Sequence, residues 1–255
     1  MKIIKINEGG KMNKKVGVVT GGTEGIGLAT SKLLLQKGAH VIITYSKNDE
    51  KAERAKKELS LISNDFNIFK SSSSVLTDVK DLSKELKKKF GHIDFLVNNA
   101  GISKSKYAIS MSEKDWNDVI DVNLTGTFLT TKFLIPLMFK NGGSLVNVSS
   151  QVGKLGNIGQ VNYAASKAGV IGLTHTIAQE YGKKNIRVNA ICPGFVNTEI
   201  LNEMPEEELK KKIERVILGR LGEVQEIAEV IVFLLSSKSS YINSAVIDVD
   251  GGKSF

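Results

Sequence analysis

The sequence predicts a doubly wound α/β domain, in which one parallel sheet is covered by helices on both faces. Short runs rich in valine and isoleucine alternate with longer helical patterns along the chain. Strands that are apolar on both faces and separated by helices are typical of a buried parallel sheet. A glycine-rich turn, TGGTEGIG at residues 20–27, joins the first apolar run to the first helical pattern. The 255 residues suit one sizeable domain.

Strands and helices are expected to alternate along most of the chain, with about seven strands and with two helices before the last strand. Expected strands cover residues 15–22, 40–46, 66–71, 93–101, 143–150, 186–194 and 245–252. Expected helices cover residues 26–37, 49–60, 79–90, 113–121 (running on toward residue 140), 161–181, 206–216 and 224–235. We expect residues 1–13 to form a loose N-terminal extension and residues 14–255 to form the single domain.

The composition argues against several classes of function. The only cysteine is Cys192, so a disulfide framework is excluded, and the three histidines have no zinc-type spacing. We therefore expect no metal site. The net charge is +8, but the lysines alternate with glutamates along helices, as on a solvated helix face. Without a basic stripe interleaved with aromatic residues, the sequence does not predict nucleic-acid binding.

The sequence carries neither a recognisable secretory signal nor a stretch that could span a membrane. The first fifteen residues, MKIIKINEGGKMNKK, lack the apolar core of a secretory signal. The most apolar stretch, residues 124–139, is too short and too interrupted by Lys132 and Pro136 to span a bilayer. We therefore expect a cytoplasmic protein with no membrane partner.

The turn after the first strand contains Gly21, Gly25 and Gly27. Such a turn lets the backbone approach a pyrophosphate, whose charge is held by the free amides at a helix N-terminus. Its place between the first strand and the first helix strengthens this interpretation. The alternative is a tight turn with no ligand.

Tyr163 and Lys167 lie four residues apart in VNYAASKAGVIG, residues 161–172. On a helix they share one face, and the small residues around them allow a large group to pack closely. The alternative is an ordinary helix that packs tightly on a neighbour and carries two polar residues.

Ordered motifs along nearly the whole chain now indicate a family. They are TGGTEGIG at 20–27, NNAG at 98–101, Asn123 in DVNLTG, Ser150 in VNVSS, YAASK at 163–167 and PG at 193–194. In this order and at these distances they resemble the short-chain dehydrogenase/reductase family over residues 14–255. The resemblance implies a Rossmann-like fold and an oxidoreductase that uses a nicotinamide dinucleotide.

The resemblance also implies a catalytic tetrad of Asn123, Ser150, Tyr163 and Lys167. A phenol with a pKa of about 10 holds its proton too firmly to exchange it easily near neutral pH. A lysine ammonium one turn away favours the phenolate, so Tyr163 is expected to donate a proton to a carbonyl. Ser150 would hydrogen-bond the substrate oxygen as charge develops there. Asn123 would support a water that passes protons to Lys167, and Lys167 would also hold the cofactor ribose.

The cofactor contacts implied by the resemblance extend along one edge of the sheet. They comprise Gly21, Thr23, Glu24, Gly25, Ile26, Gly27, Tyr45, Ser46, Lys47, Ser74, Val75, Asn99, Ala100, Gly101, Tyr163, Lys167, Pro193, Gly194, Val196 and Thr198. Asn98 and Gly101 would line the adenine-ribose side. Val196 and Thr198 would touch the carboxamide and phosphates.

The second strand indicates which nicotinamide cofactor is used. An acidic residue at its end would bind the ribose 2′-hydroxyl of NAD and repel a 2′-phosphate. Here the strand ends in Thr44, Tyr45, Ser46 and Lys47, with no acid. This favours NADP(H), with NAD(H) as the alternative. Glu24 stands against it, because many NADP-dependent relatives carry a basic residue there.

The subfamily resemblance is to 3-oxoacyl-(acyl-carrier-protein) reductases, on residues 156–174, 193–200 and 219–237. It implies an acyl-thioester substrate, an acyl carrier protein as partner and a homotetramer. Lys140, Lys183 and Lys184 could form a basic landing area for an acidic carrier protein, or simply aid solubility. Residues 102–112 depart from the usual reductase pattern.

Two other functions stay open at this stage. One is oxidation or reduction of a free sugar, polyol, steroid or other alcohol with NAD(H). The other is a non-catalytic dinucleotide-binding sensor, which the intact serine, tyrosine and lysine set argues against.

Overall fold

A computed structural model describes residues 12, 14–198 and 206–252 of the chain. The strands are β1 Val16–Thr20, β2 His40–Tyr45, β3 Phe66–Lys70, β4 Phe95–Asn98, β5 Gly143–Val148, β6 Ile186–Pro193, β7 Val196–Asn197, β8 Gly222–Glu223 and β9 Val246–Val249. The α-helices are α1 Gly25–Gln36, α2 Asp49–Ser60, α3 Leu76–Phe90, α4 Glu113–Ile120, α5 Gly126–Leu134, α6 Gln151–Leu155, α7 Val161–Tyr181, α8 Glu206–Ile213 and α9 Val224–Leu235.

Seven of these strands form one parallel sheet in the order β3-β2-β1-β4-β5-β6-β9. The prediction of a doubly wound sheet with seven strands is therefore confirmed. The chain reverses its direction of winding between β1 and β4. In such sheets a crevice opens beyond the carboxyl ends of the strands at this point, and ligands bind there.

The two faces of the sheet are buried by two separate apolar clusters. Val19 and Ile43 pack with α1 and α9 on one face, whereas Val18 and Ile42 pack with α3 and α7 on the other. Neighbouring residues of a strand point to opposite faces, so a strand covered on both sides must be apolar at every position. This explains the continuous valine and isoleucine runs of the sequence.

The long helical pattern after residue 113 is divided into four parts. α4 is followed by a π-helical turn at Asp121–Thr125, then by α5 and by a 3-10 turn at Ile135–Met138 that contains Pro136. Proline lacks the N–H that a regular α-helix needs, which accounts for the last change. The π turn places an extra residue in the helix at Asn123, and such turns are frequent at functional sites.

Three further features differ from the sequence-based expectations. Helix α6 and the two-stranded pair β7–β8 were not expected, and α3 begins at Leu76 rather than at residue 79. Met12 was assigned to the loose extension, yet it is buried in the core and its N–H donates to the Lys37 carbonyl at 2.9 Å. Residues 1–11 and 13 of the expected extension lie outside the described residues.

Across residues 12, 14–198 and 206–252, none of the helices combines the length and the apolar character that crossing a bilayer would need.

Candidate active site

The turn between β1 and α1 has the backbone shape that its glycines predict. Gly21 and Gly25 have φ angles of 61° and 52°, in the left-handed region that residues other than glycine rarely adopt. A Cβ atom on Gly27 would lie 2.2 Å from the Gly21 carbonyl oxygen, so only glycine fits. Asn99 stabilises the turn, since its amide nitrogen donates to the carbonyls of Thr20 and Gly21 at 3.1 and 3.0 Å.

A cleft of about 590 Å³ opens beyond β1, β2 and β3. Nine of the expected cofactor contacts line it: Gly21, Thr23, Glu24, Tyr45, Ser46, Lys47, Ser74, Ala100 and Gly101. Expected contacts outside this lining are Gly25, Ile26, Gly27, Val75, Asn99, Tyr163, Lys167, Pro193, Gly194, Val196 and Thr198. The cleft has the position of the adenosine and phosphate part of a dinucleotide site.

Lys51 is a cleft residue that the sequence analysis missed. It lies in the first turn of α2, behind the Asn48 cap, and its ammonium forms an ion pair with the Glu24 carboxylate. The charge of Glu24 is thus balanced at the mouth of the cleft, beside Ser46 and Lys47. A capping asparagine followed three residues later by lysine was the available sequence signal.

Four consecutive serines follow β3 and form one wall of the cleft, at residues 71–74. The hydroxyls of Ser72 and Ser74 are 3.1 Å apart, and the Ser72 N–H donates to Asp78 at 3.0 Å. Ser74 therefore offers a hydroxyl to the cleft. Ser73 is buried against Gly126 of α5, on which a Cβ atom would lie 2.8 Å from the serine Oγ.

Ser150 and Tyr163 meet at the carboxyl end of β5. Ser150 is the N-cap of α6, where its Oγ accepts from the Val152 N–H at 3.1 Å, and its side chain lies close enough to Tyr163 to affect the pKa of that phenol. Burial raises the pKa of Tyr163, and the hydrogen bond from Ser150 opposes this change. Two neighbouring hydroxyls can hold a substrate oxygen atom and supply a proton to it.

Lys167 lies one turn further along α7 and is almost fully buried. Its ammonium donates to the Val148 carbonyl at 2.8 Å and lies 5.7 Å from the centre of the Tyr163 ring. Burial lowers the pKa of Lys167 to about 8. The side chain thus stays largely charged at neutral pH and favours the phenolate of Tyr163.

Asn123 reaches the same place from the π turn. Its amide group clasps the backbone of Ile102, accepting from the N–H at 2.8 Å and donating to the carbonyl at 3.0 Å. It also donates to the Ser166 hydroxyl at 3.1 Å. A Cβ atom on Gly101 would lie 3.3 Å from Asn123 Oδ1 and 3.4 Å from Lys167 Nζ. Gly101 therefore lies between the cleft and the side chains of Asn123 and Lys167.

Thr198, the last described residue before the gap at 199–205, approaches the phosphate turn. A Cβ atom on Gly25 would lie 3.9 Å from the Thr198 methyl group. After Pro193, a Cβ atom on Gly194 would lie 2.7 Å from Asp250 Cβ, so the chain turns close to the C-terminal strand. Thr198 thus lies where the sequence analysis expected a phosphate contact.

Two residues have a different role from the one expected. Asn98 is buried beneath the cleft, where its amide bonds Thr130, Thr131 and Asn147 at 2.6 to 3.0 Å, and it does not line the adenine-ribose side. The Val196 side chain is buried in the apolar core. Any contact that Val196 makes with a ligand would therefore be through its backbone.

The basic area at Lys183 and Lys184, expected to receive an acyl carrier protein, lies far from Tyr163 of the same chain. Lys183 and Lys184 follow the end of α7, and the Lys184 ammonium lies 4.6 Å from the centre of the Phe139 ring. At 1.5 Å per residue, this end is about 30 Å along the helix from Tyr163. The expectation that these lysines flank the mouth is thus not met within a single chain.

The residues present fit a nicotinamide dinucleotide. The glycines let the turn take its tight shape at the edge of the cleft, and the N-cap residue Glu24 does not cap the first amides of α1 with its side chain. Uncapped amides at a helix N-terminus suit a phosphate group. Ser150, Tyr163 and Lys167 lie beyond Gly101, on the side where a reactive ring must meet its substrate.

Comparison with known proteins agrees with this geometry. A sequence model of a protein family, described as enoyl-(acyl carrier protein) reductase, matches residues 21–254. The 3-oxoacyl-(acyl-carrier-protein) reductase FabG of Thermotoga maritima is 43% identical over 243 residues, which are 95% of this chain and 98% of the relative. The corresponding protein of Aquifex aeolicus is 42% identical over 247 residues, or 95% and 98% of the two chains.

A third relative of that name, from Staphylococcus epidermidis, is 38% identical over 242 residues, which are 94% of this chain and 99% of its own. The similarity to all three relatives therefore extends over nearly the whole chain. The chain is therefore an oxidoreductase that belongs to the short-chain dehydrogenase/reductase family.

Proposed function

We propose that the protein reduces the 3-oxo group of an acyl thioester carried by acyl carrier protein, using NADPH, as a step of fatty-acid synthesis. The meeting of the Ser150 and Tyr163 hydroxyls above the buried Lys167 is the observation that carries this proposal. The relatives named 3-oxoacyl-(acyl-carrier-protein) reductase support the choice of substrate.

The roles in the reaction follow from the contacts. Tyr163 donates its proton to the carbonyl oxygen, and Ser150 donates a hydrogen bond to the same oxygen as it becomes negative. Lys167 stabilises the phenolate that remains. A water held between Asn123 and Lys167 returns the proton. The bound cofactor supplies the hydride to the carbonyl carbon.

The choice of NADP(H) is supported by the charges around the end of β2. Ser46 and Lys47 line the cleft there, and Lys51 balances Glu24. The acidic residue that counted against NADP(H) in the sequence therefore has a basic partner. Asp49 is likewise held by Lys70, which donates to both of its carboxylate oxygens at 2.9 Å. A 2′-phosphate would meet a region with a net positive charge.

The first experiment follows the absorbance of NADPH with a short 3-oxoacyl thioester as substrate. Each assay is repeated with NADH, with an enoyl thioester and with a panel of sugars, steroids and simple ketones. Rapid reduction of the 3-oxoacyl thioester with NADPH supports the proposal. Activity only on a free ketone or alcohol would overturn the substrate, and equal or better use of NADH would overturn the cofactor.

Enoyl reduction is the second candidate, because the matching family model is described by that activity. The two activities differ in the bond that receives the hydride, so the same assay separates them. Turnover of the enoyl thioester without turnover of the 3-oxoacyl thioester would select it.

The sensor hypothesis is tested with Tyr163→Phe. Removal of the donor hydroxyl is expected to reduce turnover by about 100-fold or more, in line with the usual contribution of a general acid. NADPH binding, followed by cofactor fluorescence, should stay within about two-fold of wild type. A wild-type protein that binds NADPH but turns over no carbonyl would favour a sensor.

We further propose a homotetramer with one domain per chain and an acyl carrier protein as partner. Phe128 of α5 and Phe233 of α9 support this, since both expose about two fifths of their surface. Exposed aromatic residues on otherwise apolar helices are typical of surfaces that another subunit covers.

A further inference from the structure

Asn162, the residue before Tyr163, is fully buried, and both its amide oxygen and its amide nitrogen form hydrogen bonds to the backbone. Its Oδ1 accepts from the Tyr163 N–H at 2.7 Å. Its Nδ2 donates to the carbonyl of Lys104 at 3.2 Å and to that of Asp115 at 3.0 Å. One side chain thus joins the start of α7 to the loop after β4 and to α4.

The two segments that Asn162 reaches are also joined to each other and to the approach of α7. The Lys104 ammonium contacts Asp115 at 3.1 Å and Asp118 at 2.7 Å, so the loop is tied to α4 by charge. The Lys106 N–H donates to the Gly159 carbonyl at 2.8 Å, just before α7 begins. The loop that departs from the usual reductase pattern is therefore held against the catalytic helix.

The start of α7 explains why this amide matters. The first N–H groups of a helix have no partner within the helix. The residue at the N-cap, Gln160, does not supply one from its side chain. Asn162 bonds the Tyr163 N–H instead, while it is itself fixed by two carbonyls of other segments. Through Asn162, the backbone of Tyr163 is therefore tied to two segments outside α7.

We propose that Asn162 is a positioning residue for Tyr163. It holds the first turn of α7 against the loop at Lys104 and against α4, so that the phenol hydroxyl stays directed at the substrate oxygen beside Ser150. Asn162 does not touch substrate or cofactor in this role. The inference rests on the proposed function for the role of Tyr163 as proton donor and for the choice of assay substrate.

The first test compares Asn162→Ala with Asn157→Ala. Asn157 is an exposed asparagine of the preceding loop, whose amide donates only to the side chain of Gln160. Because a misplacement of about 1 Å can reduce a rate about 100-fold, we expect kcat of Asn162→Ala to fall about 10- to 100-fold. The KM for the thioester and the NADPH dissociation constant should change less than about three-fold. Asn157→Ala should behave as wild type.

The second test uses Asn162→Asp, which keeps the acceptor for the Tyr163 N–H and replaces the donor. The ionised carboxylate would face the Lys104 and Asp115 carbonyl oxygens, and burial would raise its pKa. Protonation restores one donor. The ratio of variant to wild-type kcat should therefore rise as the pH falls from 8 to 5.5. The same ratio for Asn157→Asp should stay constant.

A folded Asn162→Ala protein with wild-type kcat would overturn the inference. If the alanine variant does not fold, the aspartate variant decides, and a pH-independent kcat ratio would equally overturn it. Both tests compare a variant with wild type on any carbonyl that wild type reduces. A failure of the thioester as substrate is therefore distinguishable from a failure of the positioning role.

Discussion

At the scale of single residues, the ion pair between Glu24 and Lys51 changes the meaning of the cofactor motif. In the sequence, Glu24 is an isolated acid in the phosphate turn, and its charge favours NAD(H). In the structure it is joined to a lysine from the next helix, 27 residues further along the chain. Lys51 lines the cleft together with Ser46 and Lys47. Its ammonium can therefore bind a cofactor 2′-phosphate in place of the Glu24 carboxylate.

We predict that Lys51→Met reduces the preference for NADPH. A charge-assisted hydrogen bond to a phosphate contributes about 1.5 to 3 kcal/mol, so the KM for NADPH should rise at least about ten-fold. The KM for NADH should change less than about two-fold, since NADH has no 2′-phosphate. Steady-state kinetics with both cofactors measure the effect.

The matched control is Lys57→Met, which removes a positive charge from the exposed last turn of the same helix. Its cofactor preference should equal that of wild type. Loss of NADPH preference in both variants would mean that overall charge, and not Lys51, holds the phosphate.

The pKa of Lys167 gives a second prediction at this scale. Burial lowers it to about 8 and also raises the pKa of Tyr163. Below pH 8 the ammonium is charged and the phenol keeps its proton, so both groups are ready for reduction. Above pH 8 the ammonium loses its proton and no longer stabilises the phenolate.

Carbonyl reduction should therefore decline as the pH rises past about 8. The profile of kcat/KM against pH reports groups of the free enzyme, and the measured value belongs to the coupled pair. A rate that stays constant from pH 6 to pH 9.5 would contradict the role of the lysine charge.

At the scale of elements, two helices approach the site so closely that only glycine fits at the contact. Gly153 of α6 lies against the backbone of α7, where its Cβ atom would be 2.7 Å from the Lys167 carbonyl carbon. Gly126 of α5 lies against the serine loop at Ser73. The first contact positions Ser150, which begins α6, and the second positions a wall of the cofactor cleft.

We predict different losses for the two alanine variants. Gly153→Ala should separate α6 from α7 and lower kcat about ten-fold or more, with little change in NADPH affinity. Gly126→Ala should displace the serine loop and raise the NADPH dissociation constant. Because the added methyl group overpacks the contact, each should cost about 1 to 3 kcal/mol of unfolding free energy.

Each variant serves as the control for the other, since both add one methyl group at a helix contact. Fluorescence titration with NADPH and turnover at saturating cofactor separate the two effects. An equal loss of both quantities in both variants would show general loosening of the fold and contradict the prediction.

At the scale of the whole molecule, the apolar helix faces and the positions of charged residues bear on how one chain contacts another. Phe128 and Phe233 lie on different helices, so two separate surfaces carry exposed aromatic residues. A tetramer of identical chains with D2 symmetry uses at least two kinds of interface. Lys184, far along α7 from its own Tyr163, could approach an active site only by way of another chain.

We predict that Phe128→Glu and Phe233→Glu each reduce the proposed tetramer to a dimer. A charge buried without a partner is strongly unfavourable, so each substitution should open one interface and leave the other intact. Light scattering should give four times the mass of one chain for wild type and twice that mass for each variant. A wild-type protein that is monomeric would contradict the proposal.

Most of the fold was predictable from the sequence because its signals are local. Valine and isoleucine runs, helix periodicity and glycine turns located all seven strands of the main sheet and bounded α2, α7 and α9 correctly. The π turn at Asn123 and the short helix α6 were not predictable, because both arise from packing against α7. The pair β7–β8 joins residues more than twenty positions apart, with two residues in each strand.

The sequence by itself determined the family and the order of strands and helices along the chain, and it predicts the tetrad, since each depends on residue types at fixed spacing. Only the tertiary structure decided which side chains share a partner. It pairs Glu24 with Lys51 and places Asn98 in the core, not in the lining of the cleft. It also hydrogen-bonds Asn162 to the backbone carbonyls of Lys104 and Asp115. These contacts join segments that are far apart in the chain, and hydrogen bonds and ion pairs depend on distance in space, not on spacing in sequence.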